Sequence, residues 1–273
     1  MEMEVSRHRL VSLNVWGGNT QTVLRLFRFM GGMSSVVEIF ALQEVYSTLC
    51  DPVDIPGYVP NERVYPSLLQ ELCAELPRFS PIFHAQAYNH DYKGPVAGHL
   101  AFGKVMLVHE SNHIVNCGDC IVSPESNLAP PSPSIPGPAT MQYITIQNGL
   151  NKLTVFNIHG LWQLHKEDSP ERIEQSRRIS QIIRQVQGEV ILCGDFNLSP
   201  DTQSMEIIES SRLGMRNLIT EARVTTTRNH FFQGNTFHAD YILVSRGVKV
   251  HTFAVLLDIV SDHQPLFLEF SFW

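Results

Sequence analysis

Charged residues are scarce in this sequence. Only 17% of its 273 residues are Asp, Glu, Lys or Arg, and they sum to a net charge of −7. A protein that grips duplex DNA non-specifically needs an excess of Lys and Arg, because phosphate neutralisation supplies most of that affinity. The acidic total, with a pI of about 5.9, argues against a strong general duplex binder and leaves a local basic patch open. No apolar run approaches the roughly 18 residues of a transmembrane helix, so no membrane span is expected. The first eight residues, Met-Glu-Met-Glu-Val-Ser-Arg-His, lack a cationic start followed by an apolar core, so no secretory leader is expected. Cysteine is sparse and odd in number: Cys50, Cys73, Cys117, Cys120 and Cys193. Cys117-Gly-Asp-Cys120 has no second pair to complete a tetrahedral zinc site and no strand-to-helix redox setting, so a structural role is expected. Cys193 lies in an apolar strand pattern and reads as a small core residue. The expected compartment is reducing and cytoplasmic.

Hydrophobic residues make up 43% of the chain. A chain of this length buries about three-quarters of its unfolded surface and needs no disulfide or structural metal to hold a core. Strands are predicted over Arg9–Trp16, Val36–Leu42, Ala101–His109, Met141–Gln147 and Lys152–Asn157. Val36–Leu42 is a continuous apolar run suited to a sheet covered on both faces. Helices are predicted over Thr20–Met30, stopped by Gly31-Gly32, and over Pro66–Leu76. Another opens at Ser169 with Pro170 in its first turn, carries Ile173, Ile179, Ile182, Ile183 and Val186 as a buried stripe, and ends by Gly188. A further helix opens at Ser199-Pro200-Asp201 and carries Met205, Ile208 and Leu213 to Gly214. Phe79–Gly98 reads as an irregular surface segment. Residues 124–138 contain six prolines in fifteen positions and cannot be regular. Candidate site residues lie on both sides of that stretch and must meet, so it is read as a loop within a single domain spanning 1–273.

Polar clusters recur where apolar strands end. Asn14 closes Leu13-Asn14-Val15-Trp16, Gln43-Glu44 follows Ile39-Phe40-Ala41-Leu42, and Asn157-Ile158-His159 follows Leu153-Thr154-Val155-Phe156. Gly194-Asp195-Phe196-Asn197 follows Val190-Ile191-Leu192-Cys193, His238-Ala239-Asp240-Tyr241 opens Ile242-Leu243-Val244, and Ser261-Asp262-His263-Gln264-Pro265 precedes Leu266-Phe267-Leu268. A carboxylate ending a buried strand must be paired or coordinated, which makes Glu44 the leading metal-ligand candidate. An oxygen site of this kind suits Mg²⁺ or Mn²⁺. Asp195 and Asn197 are two apart, which in an extended segment aims both at one side; the alternative is a turn with Asn197 capping the following helix, a role that Ser199 fills better.

On these six segments the chain resembles the endonuclease/exonuclease/phosphatase superfamily, the deoxyribonuclease I-like metal-dependent phosphoesterases. The resemblance runs from Asn14 to Pro265. It implies an α/β fold, a four-layer sandwich of two mostly antiparallel sheets face to face with helices outside. It also implies phosphodiester hydrolysis by direct attack of water. Glu44 would hold the metal with help from Asn14 and Asp262. Asp195 would orient or deprotonate the water, and Asn197 would donate to a phosphate oxygen. His159 would bind the phosphate or act as a general acid, and Asp240 and His263 would form a dyad. Abasic-site endonucleases of the superfamily carry a metal-binding Asp two residues after the Asn; here that position is Trp16, which counts against that activity.

Two segments read as substrate loops. One is His84–His99, with Tyr88, Tyr92 and Lys93; the other is Thr225–His238, with Arg228, Phe231 and Phe232. Aromatic rings beside cations suit a base stacked above its phosphate, with Arg228 and Lys93 as guides, although Phe231 and Phe232 also suit simple packing. The leading reading is a nuclease or nucleotide phosphodiesterase favouring single-stranded or nucleotide-like substrates. The alternatives are a small-molecule or lipid phosphoesterase, sphingomyelinase-like or inositol-phosphatase-like, and a non-catalytic binding protein on the same scaffold. No obligate protein partner is evident.

Overall fold

In the computed structural model, residues 6–48, 62–96, 99–123, 138–211 and 214–273 are described. Two β-α-β units organise them. The first runs from β1 (His8–Asn14) through α1 (Val23–Met33) to β2 (Ile39–Thr48). After it come α2 (Leu68–Glu75), β3 (Phe79–Tyr88), the short pair β4 (His90–Asp91) and β5 (Gly94–Pro95), then β6 (Leu100–His109), β7 (Ile114–Ile121) and β8 (Thr140–Asn148). The second unit runs from β9 (Asn151–His159) through α3 (Pro170–Gln185) to β10 (Glu189–Asp195). The chain closes with α4 (Gln203–Glu209), β11 (Arg216–Asn217), α5 (Leu218–Glu221), β12 (Asp240–Val244), β13 (Val248–Val255) and β14 (Leu266–Phe272).

The strands make two six-stranded sheets, ordered β13-β14-β1-β2-β6-β3 and β11-β12-β10-β9-β8-β7. In each sheet a single pair is parallel, β1 with β2 and β9 with β10, and every other pairing is antiparallel. A parallel pair needs a crossover, and a helix supplies it on the outer face. α1 and α2 therefore cover the first sheet while α3 and α4 cover the second. The expected four-layer α/β sandwich is the fold.

Side-chain alternation explains the continuous apolar runs. On β2, Ile39 and Ala41 join the core between the sheets, while Phe40 and Leu42 face the helices with Leu26, Met30 and Leu72. β6 repeats this, Met106 and Val108 inward and Val105 and Leu107 outward. A strand buried on both faces has no polar face to show.

Several boundaries depart from the sequence reading. β1 stops at Asn14, and Trp16–Gly18 form a 3₁₀ turn. α1 starts at Val23 and runs through Gly31-Gly32 to Met33. Met30 is buried and Met33 packs on the same cluster, so tertiary packing outweighs the ~1 kcal/mol that a helical glycine costs. β2 begins at Ile39 and continues six residues past Leu42. Phe79–Tyr88 is a strand rather than irregular; it lies at the sheet edge, the position that tolerates Pro81. β7 has no counterpart in the sequence reading. It is another edge strand, largely exposed, so it carries no apolar signal.

In α3, Ser169 caps the Arg172 N–H as expected, but the buried stripe includes Arg172, Gln175 and Ser176 alongside Ile179 and Ile183. α4 starts at Gln203 and is capped by Thr202 rather than by Ser199. Leu213, Cys50 and nearly all of the proline-rich 124–138 loop lie outside the described residues. Cys117 and Cys120, three apart on a strand, face opposite sides; Cys120 Sγ lies 3.2 Å from the Met141 carbonyl oxygen, and both thiols are free.

Candidate active site

The C-terminal ends of β1, β9 and β10 converge at one rim with the middle of β2, where its parallel pairing with β1 ends. β1 delivers Asn14, β2 Glu44, β9 His159 and β10 Asp195. Antiparallel neighbours start at the same rim: Asp240 opposes Asp195 in register, and Asp262-His263 lie just before β14. A cavity of about 450 Å³ opens there, lined by Glu44, Asp195, Asn197, Asp262 and His263, with Trp16, Tyr92, Trp162, Lys166, Arg228 and Phe232 around them. A larger groove of about 700 Å³, between α3 and the outer face of β7–β9, contains none of the catalytic candidates.

Glu44 reaches the cavity through a break in the ladder. Pairing with β6 shifts register between Leu42 and Val45, and Glu44 has φ 59°, an uncommon backbone for a residue with a Cβ. A bulge of this kind re-aims a side chain. Gln43 turns inward, donating to Asn157 Oδ1 at 2.7 Å, while Asn157 donates to the Leu42 carbonyl at 3.1 Å. This buried amide network ties the two sheets directly beneath the site.

Asn14 holds two carboxylates. Its Nδ2 donates to Glu44 Oε1 and to Asp195 Oδ2, each at 3.0 Å, and its Oδ1 accepts the Trp16 N–H at 2.9 Å. The amide oxygen is thereby spent on the backbone, so Asn14 positions the acids. The Tyr92 hydroxyl donates to Glu44 Oε2. His159 Nε2 stands 3.6 Å from Glu44 Oε1 and 4.0 Å from Asp195 Oδ2. Burial pulls the His159 pKa down against the opposing pull of Glu44 and Asp195, so it is neutral at pH 7. Glu44 is thus an acid surrounded by an amide, a phenol and a neutral imidazole.

That environment fits a hard divalent cation. Among the described residues no lysine or arginine pairs with Glu44, and its carboxylate is the hard oxygen donor that Mg²⁺ or Mn²⁺ prefers. Asp262 lines the same cavity but is already paired, Oδ2 to Arg228 Nη1 at 3.2 Å. Asp195, Asp240 and His263 also present ligand-type atoms within 4.8 Å of one another. There, however, His263 Nδ1 is engaged by Asp240.

The dyad is built tightly. His263 Nδ1–H donates to Asp240 Oδ1 at 2.8 Å, and the Thr227 hydroxyl holds Asp240 Oδ2 at 2.9 Å. His263 Nε2 faces Asp195 Oδ2 at 3.7 Å and Asp262 Oδ1 at 3.8 Å. Burial is the largest influence on His263 and lowers its pKa, as does Arg228. The carboxylates of Asp240 and Asp262 outweigh both, and the net direction is upward. Burial would raise Asp195, but His263, His159, Arg228 and Lys166 hold it well below the usual carboxylate range.

Asp195 and Asn197 form a turn rather than an extended pair. Asn197 has φ 55°, and its N–H donates to Asp195 Oδ1 at 2.8 Å. The Asn197 amide donates to the Gly160 carbonyl at 3.2 Å and accepts from the Lys166 ammonium.

The substrate-loop residues divide. Arg228 is buried against His263 and Asp262 and stacks 4.4 Å from the Phe232 ring centroid, so it belongs to the catalytic cluster. Phe232 lines the cavity, and Phe231 lies 6.0 Å from Trp16, centroid to centroid. Tyr88 is exposed and borders a separate depression with His99. Lys93 is exposed, its N–H turned back on Asp91. The structure thus does not bring Tyr88 or Lys93 to the cavity.

The Endonuclease/Exonuclease/phosphatase family matches residues 11–263. The chain belongs to this family. It is therefore a phosphoester hydrolase, in a family that generally depends on divalent metal. A family protein from Bacteroides thetaiotaomicron superposes with TM-score 0.70 at 18% identity, covering 99% of each chain. D. rerio TDP2 complexed with single-strand DNA product gives 0.66 at 16%, covering 97% of this chain and 99% of that one. The mannosyl-6-phosphatase Bt3783 of B. thetaiotaomicron gives 0.62 at 16%, covering 97% and 100%. At such identities the likeness concerns the fold. No curated protein matches.

Sequence reasoning missed Lys166, Trp162 and Thr227. Lys166 follows His159 by seven residues, in the connection leaving the C-terminal end of a parallel strand. That is where α/β sheets carry their ligand groups, and this was the available signal.

Proposed function

We propose that the chain is a divalent-metal-dependent phosphodiesterase acting by direct attack of water, a nuclease or nucleotide phosphodiesterase that favours single-stranded or nucleotide-like substrates. The observation that carries the reading is the facing of Asp195 and the Asp240–His263 dyad across one cavity from Glu44. Mg²⁺ or Mn²⁺ held by Glu44, with Asp262 on the same wall and Asn14 steadying Glu44, would supply charge neutralisation at the phosphate. Asp195, ionised and fixed by Asn14, accepts a hydrogen bond from the attacking water and orients it. His263, its Nδ1–H held by Asp240 and its pKa raised, donates from Nε2 to a phosphate oxygen in its imidazolium form. The remaining N–H of the Asn197 amide is a further donor. Neutral His159, its Nδ1 buried without a partner among the described residues, offers Nε2 as a proton acceptor or donor beside Glu44.

Substrate preference rests on charge and aromatic surface. The total charge of −7 disfavours duplex binding, while Trp16, Trp162 and Phe232 at the cavity offer faces for unstacked bases, at roughly 1–3 kcal/mol per base. A cavity of this size also suits a small phosphate ester, which keeps the phosphatase reading as the second. Free thiols at Cys73, Cys117, Cys120 and Cys193 accord with a cytoplasmic setting. Among the described residues no helix is long and apolar enough to cross a membrane.

The test is a panel with Mg²⁺ or Mn²⁺: single-stranded and duplex DNA, RNA, abasic DNA, nucleotides, sphingomyelin and sugar or inositol phosphates. A higher kcat/KM on a single strand than on its annealed duplex at fixed salt is expected. A clear duplex preference, or hydrolysis confined to lipid or sugar phosphates, overturns the reading.

A further inference from the structure

The connection between β9 and α3 carries a lysine into the catalytic cavity, where the mechanism above gives it no task. The segment is held at both ends. Arg172, fully buried, donates through Nη1 to the carbonyls of His165 and Glu167, each at 2.6 Å, and through Nη2 to Leu161 at 3.3 Å. Asp168 accepts from the Gln203 N–H at 2.7 Å and from Ser204 at 2.9 and 2.6 Å. Between these anchors the Lys166 carbonyl accepts the Ser199 N–H at 2.7 Å. The Lys166 side chain turns inward, and only 5% of the residue is exposed.

Its ammonium donates to Asn197 Oδ1 and lies 5.9 Å from the Trp162 ring centroid. No ion pair to a carboxylate holds it among the described residues. An ammonium has three donors, and a single hydrogen bond to a neutral amide leaves a buried charge under-compensated. The Asn197 amide in turn has its oxygen on Lys166 and one N–H on Gly160, which leaves its second N–H for the cavity.

We propose that Lys166 is a phosphate-binding residue of this site: one N–H fixes the Asn197 amide so that its free N–H faces the phosphoryl group, and the others donate to a non-bridging phosphate oxygen as charge builds there. The inference rests on the phosphoesterase reading of the same cavity. Burial draws the Lys166 pKa down to about 8, with Asp195 and Asp240 opposing that fall and Arg228 and Arg172 adding to it. The side chain is still mostly cationic at pH 7.

The experiment uses the full chain, Lys166→Met and Lys166→Gln, with kcat and KM on the best substrate of the panel, calorimetric binding of inorganic phosphate in Mg²⁺ buffer, and Tm. Gln keeps a donor for Asn197 and removes the charge. For Lys166→Met, kcat/KM falls about 10²–10³-fold, as for loss of one transition-state donor, mostly in kcat. Its phosphate affinity drops at least about tenfold while Tm stays within a few degrees. Lys166→Gln regains little of either and decides the matter if the Met variant does not fold. Rates and phosphate affinity within about threefold of wild type in either variant overturn the proposal. A wild-type protein that neither binds phosphate nor hydrolyses any ester overturns the phosphoesterase reading as well. Wild-type binding that the variants retain in full sinks Lys166 alone.

Discussion

Replacing Arg172 with Met separates the support of the site from its chemistry. Met matches the apolar stem of Arg but removes three hydrogen bonds, to the carbonyls of Leu161, His165 and Glu167. Hydrogen bonds from a charged donor contribute about 1.5–3 kcal/mol each, and a buried carbonyl left unpaired costs about 1–3 kcal/mol. Leu161 is buried, whereas His165 and Glu167 are exposed and rehydrate. The cost is therefore nearer to two full losses than to three, about 3–5 kcal/mol. For a chain of this size that lowers Tm by roughly 10 °C. The same change slackens the 161–167 loop, so the Lys166 ammonium loses its fixed approach to Asn197. At a temperature where the variant is fully folded, kcat/KM should still fall, by about 10-fold or more. Differential scanning fluorimetry and steady-state kinetics on one preparation read both effects. A Tm within about 3 °C of wild type, or full activity in a destabilised variant, would refute the view that Arg172 shapes this loop for the site.

Other perturbations should divide the same way. Asp195→Ala and His263→Ala are each expected to lower kcat by about 10²–10⁴-fold with little change in Tm; more than about a tenth of the wild-type rate in either would mean the centre is misassigned. Glu44→Gln should weaken Mg²⁺ affinity, read by calorimetry, far more than it weakens the fold, and activity that survives exhaustive chelation would rule out the metal. Lys104 is fully buried and donates to Thr140 Oγ1 at 2.7 Å, and burial lowers its pKa from 10.5 to about 7. Because the folded value lies below the unfolded one, this lysine costs most stability below pH 7, about 5 kcal/mol at the upper limit, and the cost fades as pH rises towards 10.5. Lys104→Met should therefore raise Tm at pH 6 and raise it less at pH 9; a lower Tm at pH 6 would contradict this.

How much of this could be read from the sequence depends on where each signal resides. Strands covered on both faces announce themselves as apolar runs, so β2, β6, β8, β9 and β10 were legible. Edge strands were not: β3 contains Pro81, and β7 exposes most of its residues. Termini were blurred where local and tertiary forces disagree. Gly31-Gly32 signal a stop, yet α1 runs on to Met33 because the helix still packs there.

The site was legible for a geometric reason. Polar groups ending apolar runs lie at a rim, and two β-α-β units place three strand ends and the ladder break of β2 at the same rim. What stayed hidden were the local geometries that aim each group. The bulge that turns Glu44 outward while Gln43 turns inward leaves no trace in Leu42-Gln43-Glu44-Val45, since a shift in pairing depends on β6. Asp195-Phe196-Asn197 looks extended until the Asn197 N–H is found on Asp195. Arg228 reads as a surface guide because charge suggests exposure, yet Asp262, His263 and the Phe232 ring take it inside. In each case the partner that decides the orientation is distant in sequence. Lys166 is the extreme: its position depends on Arg172 six residues along and on Asn197 thirty-one residues along, and no spacing rule links the three.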